Sequence, residues 1–311
     1  MAQQAYPGRR RSVFSSSGDQ TRANAARIAA KESPFVSWAS SIAESLFATL
    51  FPADCRLCGT PLVNISRLPV CKECLSAVRL IGGGTCSICG ERLTTPYAVS
   101  GVHGEPKCGL CRRLDPPFAK AVAYGSYEGG LRELIHMLKY EHVRPAASVL
   151  GRMLAEAIRR LETSFGDNQV VVVPVPLHAG KMRQRGFNQA ELIARAALKT
   201  ANSSKLVLSD SLLERRRETQ SQIGLSSHQR RENIRGAFAV TKPEKVSGRE
   251  CLLVDDVFTT GTTVSECARI LRRAGASNVW VATVARTLKA EASFAQMESE
   301  KEAPIAVAAA G

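Results

Sequence analysis

The stretch Cys251–Thr263, CLLVDDVFTTGTT, constrains the fold more than any other part of the sequence. Leu252, Leu253 and Val254 make a continuous apolar run bounded by turn residues, the pattern of a strand buried on both faces of a parallel sheet. Asp255 and Asp256 follow at its carboxyl end, where open α/β sheets bind their ligands. A turn of Thr259, Thr260, Gly261, Thr262 and Thr263 comes next, and a helical pattern begins at about Val264. Such a turn can wrap an anion in backbone N–H groups and hydroxyls, and the helix adds its positive N-terminus. Carboxylates accept hydrogen bonds from sugar hydroxyls but repel phosphate, so the acids suit the sugar side of a sugar phosphate. A Walker B strand also ends in acids, but it requires a GxxxxGK[ST] loop upstream, and the sequence contains none. A receiver-type acidic pair belongs near a domain start, with no phosphate-sized turn attached. A solvated Asp-Asp turn does not require strand, turn and helix in this order.

At 311 residues the chain has room for one substantial α/β domain and a smaller module. Its net charge of +14 points to anionic partners such as nucleotides, pyrophosphate or nucleic acid. No apolar run approaches the ~18 residues that a membrane span needs. The N-terminus lacks the apolar core of a secretory signal, so a cytoplasmic location is expected. Residues 1–35, rich in Arg, Ala and Ser, read as a disordered arm, a composition that an organellar transit peptide shares.

Eight of the ten cysteines form four C-x-x-C pairs: Cys55/Cys58, Cys71/Cys74, Cys86/Cys89 and Cys108/Cys111. Tetrahedral zinc needs two such knuckles, so the pairs supply two structural sites of four thiolates, with no coordination position open for catalysis. A disulfide framework belongs to secreted chains, and a redox role needs a single pair in a thioredoxin-like context. Sharing in chain order gives two zinc ribbons, each pair of knuckles spanning a short hairpin. Interleaved sharing gives a RING-like cross-brace. The short, similar loops Gly59–Val70 and Leu75–Thr85 favour the first arrangement. His103 lies between the third and fourth pairs and reads as a loop residue. Cys251 and Cys267 read as small buried hydrophobes.

Trp38, Ile42, Leu46 and Leu50, four apart, make 36–54 an amphipathic helix that packs on the body. The ribbon module spans 55–114, with Gly82–Gly84 as a flexible joint, and Asp115-Pro116-Pro117 leads into a domain over 115–288. There the patterning predicts a strand at Ala119–Tyr127 and a helix ending near Lys139-Tyr140. A second helix covers Ala146–Leu161, a core strand Val170–Leu177, a loop His178–Arg185 and a helix Asn188–Leu198. Leu206–Leu208 reads as a strand. The polar stretch Glu214–Arg235 packs Arg215, Arg216, Arg217, Arg230, Arg231 and Arg235 around Thr219 and Gln220. As a mobile, charged loop it can close over a pyrophosphate and exclude water. Residues 289–311 read as a mobile tail. Strands alternating with helices assemble as a parallel sheet with crossover helices, an α/β fold.

The segments VPVPL, RGFNQAELIAR, LERRRETQSQ, RENIRGAF and LLVDDVFTTGTT occur in one order behind the cysteine knuckles. Together they resemble the ComF family (ComFC/GntX-type), in which a zinc-ribbon head precedes a type I phosphoribosyltransferase domain. The match runs from about Ser45 to Arg286. The resemblance implies a parallel sheet flanked by helices that binds phosphoribosyl pyrophosphate (PRPP) with Mg²⁺. Asp255 and Asp256 would hold the ribose 2′- and 3′-hydroxyls, and Thr259–Thr263 the 5′-phosphate. Pro176–Gln189 corresponds to the pyrophosphate-side loop, with Arg183, Arg185 and Asn188 as contacts, and Arg215–Gln220, including Arg217, to the mobile catalytic loop. Lys139 and Tyr140 match the family's Lys-Tyr position. Phe258 stands where the family carries an aliphatic residue, and Glu141–Arg144, with His142, lies where it often has a glycine. His178 reads as a hydrogen-bonded loop histidine. The resemblance implies transfer of a phosphoribosyl group to an unidentified acceptor. The second expectation is a competence protein that handles single-stranded DNA, alone or with other DNA-processing proteins, and uses the PRPP site as a sensor. An aromatic content of 5% supplies few stacking platforms for such a strand.

Overall fold

The computed structural model describes residues 54–62, 68–78, 80–93, 105–219 and 227–288. The expected arm, the amphipathic helix with Trp38, His103, Gln220 and the tail lie outside these residues.

A five-stranded, wholly parallel sheet has the order β1-β7-β6-β2-β3. Its strands are β1 (Lys120–Ser126), β2 (Val170–Pro174), β3 (Leu206–Leu208), β6 (Glu250–Phe258) and β7 (Asn278–Arg286). A separate antiparallel pair, β4 (Leu213–Arg215) and β5 (Phe238–Val240), lies between β3 and β6 in the sequence. The central strands are apolar on both sides because helices cover both faces. On one face Val170, Val172, Leu252, Val254, Trp280 and Ala282 meet α3 (Gly129–Tyr140), α4 (Ala146–Glu162) and α6 (Gln189–Ala201). On the other, Val171, Val173, Leu253, Val279 and Val281 meet α8 (Thr262–Arg273) and the β4–β5 pair. Cys251 and Cys267 are fully buried in this second core, as small hydrophobes.

Helix α4 is the most deeply seated, with Leu150, Leu154, Ile158 and Leu161 inaccessible to solvent. Each such side chain contributes about 1.5–3 kcal/mol by leaving water. Gly151 lets α6 approach closely, since a Cβ there would lie 2.4 Å from that of Ala196.

Two stretches expected as loops contain regular elements among the described residues. Residues Ala179–Arg185 form helix α5, capped by His178, whose Nδ1 accepts from the Gly180 N–H at 3.3 Å. The polar stretch after Leu213 contributes β4 and helix α7 (Ser227–Ile234). Strand β2 stops at Pro174, short of Leu177, and α8 starts two residues before Val264. His142 holds a left-handed backbone (φ 59°), a conformation that favours glycine.

The cysteine module is two copies of one unit. In each, the first C-x-x-C turns a hairpin closed by a bridge, Asp54↔Pro61 in one copy and Thr85↔Arg92 in the other. Gly59 and Gly90 follow with φ 71° and 70°. The second C-x-x-C opens a short helix, α1 (Lys72–Ser76) or α2 (Gly109–Leu114), instead of a second hairpin turn. The first copy packs Cys55, Leu68 and Val70 into the core beneath α3; the second adds Cys86, Cys89 and Cys111 to the core beneath α8. Between them the module runs along the outer side of β1. Ile81 N–H donates to Tyr124, Ala121 N–H to Ile88, and Leu80 bridges Gly125. No helix among the described residues is long and apolar enough to cross a membrane.

Candidate active site

Strand β6 carries the apolar run past Val254, so Asp255 and Asp256 lie inside its last turn of pleat rather than beyond its end. Side chains alternate along a strand, and the two acids therefore leave opposite faces of the sheet. Asp256 follows Leu252 and Val254 toward α3, where the Lys139 ammonium donates to its Oδ1 at 2.8 Å. Both side chains are withdrawn from solvent, at 17% and 5% exposure. Burial alone would lower the Lys139 pKa, but Asp256 and then Asp255 outweigh it and hold the amine above the ordinary lysine value. The second oxygen of Asp256, Oδ2, is buried without a hydrogen-bond partner.

Asp255 points toward α8 and β4, near Cys267 and Arg215. Its Oδ1 accepts the Asp256 N–H at 2.9 Å. Burial first, and Asp256 second, push its carboxyl up to about 7, while Lys139 and Arg215 pull the other way.

After Phe258 the turn reaches Gly261, which has φ 75° and serves as N-cap of α8. Gly261 gives α8 no side-chain cap, and a helix N-terminus of this kind is a place where an anion can bind. Thr260 and Thr262 join hydroxyls at 2.8 Å across its mouth.

Cations gather opposite the acids. Desolvation, then Arg215, Arg185 and Lys139, hold the Lys181 amine below its usual pKa while Glu218 pulls the other way, so these cations share one field. Arg215 is brought in by an isolated bridge between its backbone and that of His178. Its guanidinium lies 5.4 Å from the Phe238 ring centre and bonds Thr219, yet its Nε is buried without a partner. Arg185 donates to Gln189 at 2.6 Å and lies 5.6 Å from the centre of the exposed Tyr140 ring.

The other expected contacts have different partners. Arg217 donates to the carbonyls of Asn233 and Arg235, at 2.9 and 3.0 Å, and so ties β4 to the end of α7. Arg183 is exposed on α5. Asn188 caps α6 through Ala190 and donates to Val175 at 3.0 Å, a positioning task for the loop after β2. Lys181 was not singled out in the sequence; a lysine in a basic segment gives no signal of its own.

The cysteines group in chain order: Cys55, Cys58, Cys71 and Cys74 in one cluster, Cys86, Cys89, Cys108 and Cys111 in the other, with all four sulfurs of each within 4.8 Å. A tetrahedron with ~2.3 Å metal–sulfur bonds has edges of about 3.8 Å. Cys58 to Cys71 and Cys89 to Cys108 both measure 3.7 Å. The backbone N–H of Cys74 and of Cys111 points at the sulfur three residues earlier, as thiolates require. Four sulfurs this close are therefore thiolates together only around a cation, and the donor set fits zinc.

A phosphoribosyl transferase domain model matches residues 139–302. The chain belongs to that family. It is similar to the DNA utilization protein YhgH of Escherichia coli O157:H7, 33% identical over 238 residues, 76% of this chain and 98% of the relative. Competence protein F of Haemophilus influenzae is 31% identical over 70% of this chain and 96% of its own length. Competence protein ComFC of Bacillus subtilis is 24% identical over 66% and 79%. The phosphoribosyl transferase and ComF resemblance read from the sequence therefore holds, with a parallel sheet flanked by helices and two four-cysteine clusters ahead of it.

Proposed function

We propose that the protein binds PRPP with Mg²⁺ and transfers the 5-phosphoribosyl group to an acceptor with release of pyrophosphate. The observation that carries this reading is the grouping of Lys139, Lys181, Arg185 and Arg215 near Asp255 and Asp256, the latter with one buried oxygen lacking a partner, beside the glycine-capped turn that opens α8. The 5′-phosphate sits in Thr259–Thr263, and the ribose hydroxyls donate to Asp255 and Asp256. The pyrophosphate lies under the cations. In the reaction the bond from C1 to the pyrophosphate oxygen breaks, its electron pair leaves with pyrophosphate, and the acceptor's lone pair closes on C1. The four cations stabilise the departing charge, which is usually the largest contribution to such a step. Mg²⁺ is held mostly by PRPP oxygens and water. The two cysteine clusters hold structural zinc, and the protein works in the cytoplasm.

Calorimetry with PRPP and Mg²⁺ tests the site, and a screen of bases and nucleosides for pyrophosphate release identifies the acceptor. Binding heat that persists in the Asp255→Asn/Asp256→Asn double variant refutes the assignment. A second reading, single-stranded DNA handling with the PRPP site as a sensor, is favoured by the names of the relatives and by the net charge of +14. It predicts DNA affinity that falls steeply with salt and on replacing Arg215 and Arg217 by alanine.

A further inference from the structure

At the end of β7, Arg286 is 4% exposed and its guanidinium faces the second cysteine cluster. Nη1 donates to the Cys89 carbonyl at 2.5 Å, and Nη2 to Glu91 at 2.9 Å. Nη2 also lies 3.7 Å from the Cys89 sulfur. On its other side the guanidinium lies 4.4 Å from the centre of the Phe258 ring. That ring, held edge-on by Phe118 at 6.2 Å, sits directly beneath the anion-binding turn. A Cβ on Gly261 would fall 2.5 Å from the Phe258 Cζ. Cluster, guanidinium, ring and turn thus form one buried stack.

Among the described residues the first cluster has no such path. Arg56 beside it pairs with Glu141 at the surface, and Leu57 packs toward Gly130 on α3.

We infer that Arg286 couples the second cysteine cluster to the Thr259–Thr263 turn, so that an ion in that cluster, and not in the first, sets the turn's shape and its hold on a sugar phosphate. Four thiolates around a divalent ion carry a net charge of about −2, and the buried Arg286, which the cluster shares with Glu91, offsets part of it. With the cluster filled, Arg286 is fixed between sulfur and ring, and Phe258 is pressed under Gly261. With it empty, the guanidinium loses one of its two walls, and the ring is free to move. The aromatic residue at position 258 thereby has a purpose in this chain: an aliphatic side chain offers no π face to a guanidinium. The affinity consequence rests on the function proposed above; the coupling does not.

The test uses the full chain, with hydrogen exchange of 259–263, metal content by mass, and calorimetry with ribose 5-phosphate. Arg286→Lys is expected to weaken the second site about tenfold for zinc and to speed exchange in the turn. Phe258→Leu should keep both ions and speed exchange in the same turn, which decides the matter if Arg286→Lys does not fold. In Cys58→Ser, which lacks a ligand of the first cluster, exchange in the turn should stay slow. Turn exchange unchanged in Phe258→Leu, or raised by loss of the first ion alone, overturns the coupling. Wild-type protein that ignores ribose 5-phosphate while its turn still responds to the second ion would reject the ligand and retain the coupling.

Discussion

Asp255 ties the site to pH. Its carboxyl is held at about 7 in the folded chain, against about 3.9 when unfolded. The folded state therefore binds more protons between these values, and Asp255's contribution to stability falls as pH rises from about 4 toward 7, then levels off. In the proposed binding mode ligand binding runs the other way, because ribose hydroxyls would donate to the ionised carboxylate. PRPP affinity should rise with pH across about 7 in calorimetry, and Asp255→Asn should abolish that slope. Lys139→Met leaves Asp256 buried and uncompensated, and should cost about 3–5 kcal/mol in denaturant unfolding. The acids and the turn were legible because their spacing is local. The Lys139–Asp256 pair joins residues 117 apart, and Lys181 acquires meaning only from Arg215 and Arg185 around it, so neither could be read from adjacent residues. The opposed directions of the two acids follow from the pleat once β6 extends to Phe258, an extension the acids disguised, since charged residues argue against strand continuation.

At the scale of elements, two glycines set distances that no longer side chain permits. Gly151→Ala should force α4 and α6 apart and cost about 1–3 kcal/mol by thermal unfolding, as overpacking does, without touching ligand affinity. Gly261→Ala should do the reverse. Its left-handed backbone and the Phe258 ring both reject a Cβ, so the turn deforms and PRPP binding is lost while the melting point moves little. The long helices were plain in the sequence because their apolar stripes are regular. Helix α5 was not, since AGKMRQR buries nothing and relies on the His178 cap. Strands β4 and β5 escaped notice for a related reason. Each is only three residues long, and their pairing spans a stretch whose arginines dominate the composition.

On the scale of the whole molecule, the cysteine module is a duplicated unit whose copies take opposite faces of one sheet. The C-x-x-C pattern announced the two four-cysteine clusters, but not this division, which depends on where β1 runs. Native mass spectrometry should find two zinc ions per chain. Strand β1 is the outermost strand on its flank, and two of its outward groups, the Tyr124 carbonyl and the Ala121 N–H, are engaged by Ile81 and Ile88 of the module. Stripping the ions would peel that cover away and present a bare row of backbone donors and acceptors, a template onto which a second chain can zip. Chelated protein should accordingly elute as concentration-dependent oligomers, and a chelated sample that stays monomeric would show that the seam survives without metal. Zinc would in that sense act as a solubility factor, keeping neighbouring copies from adding strands to one another.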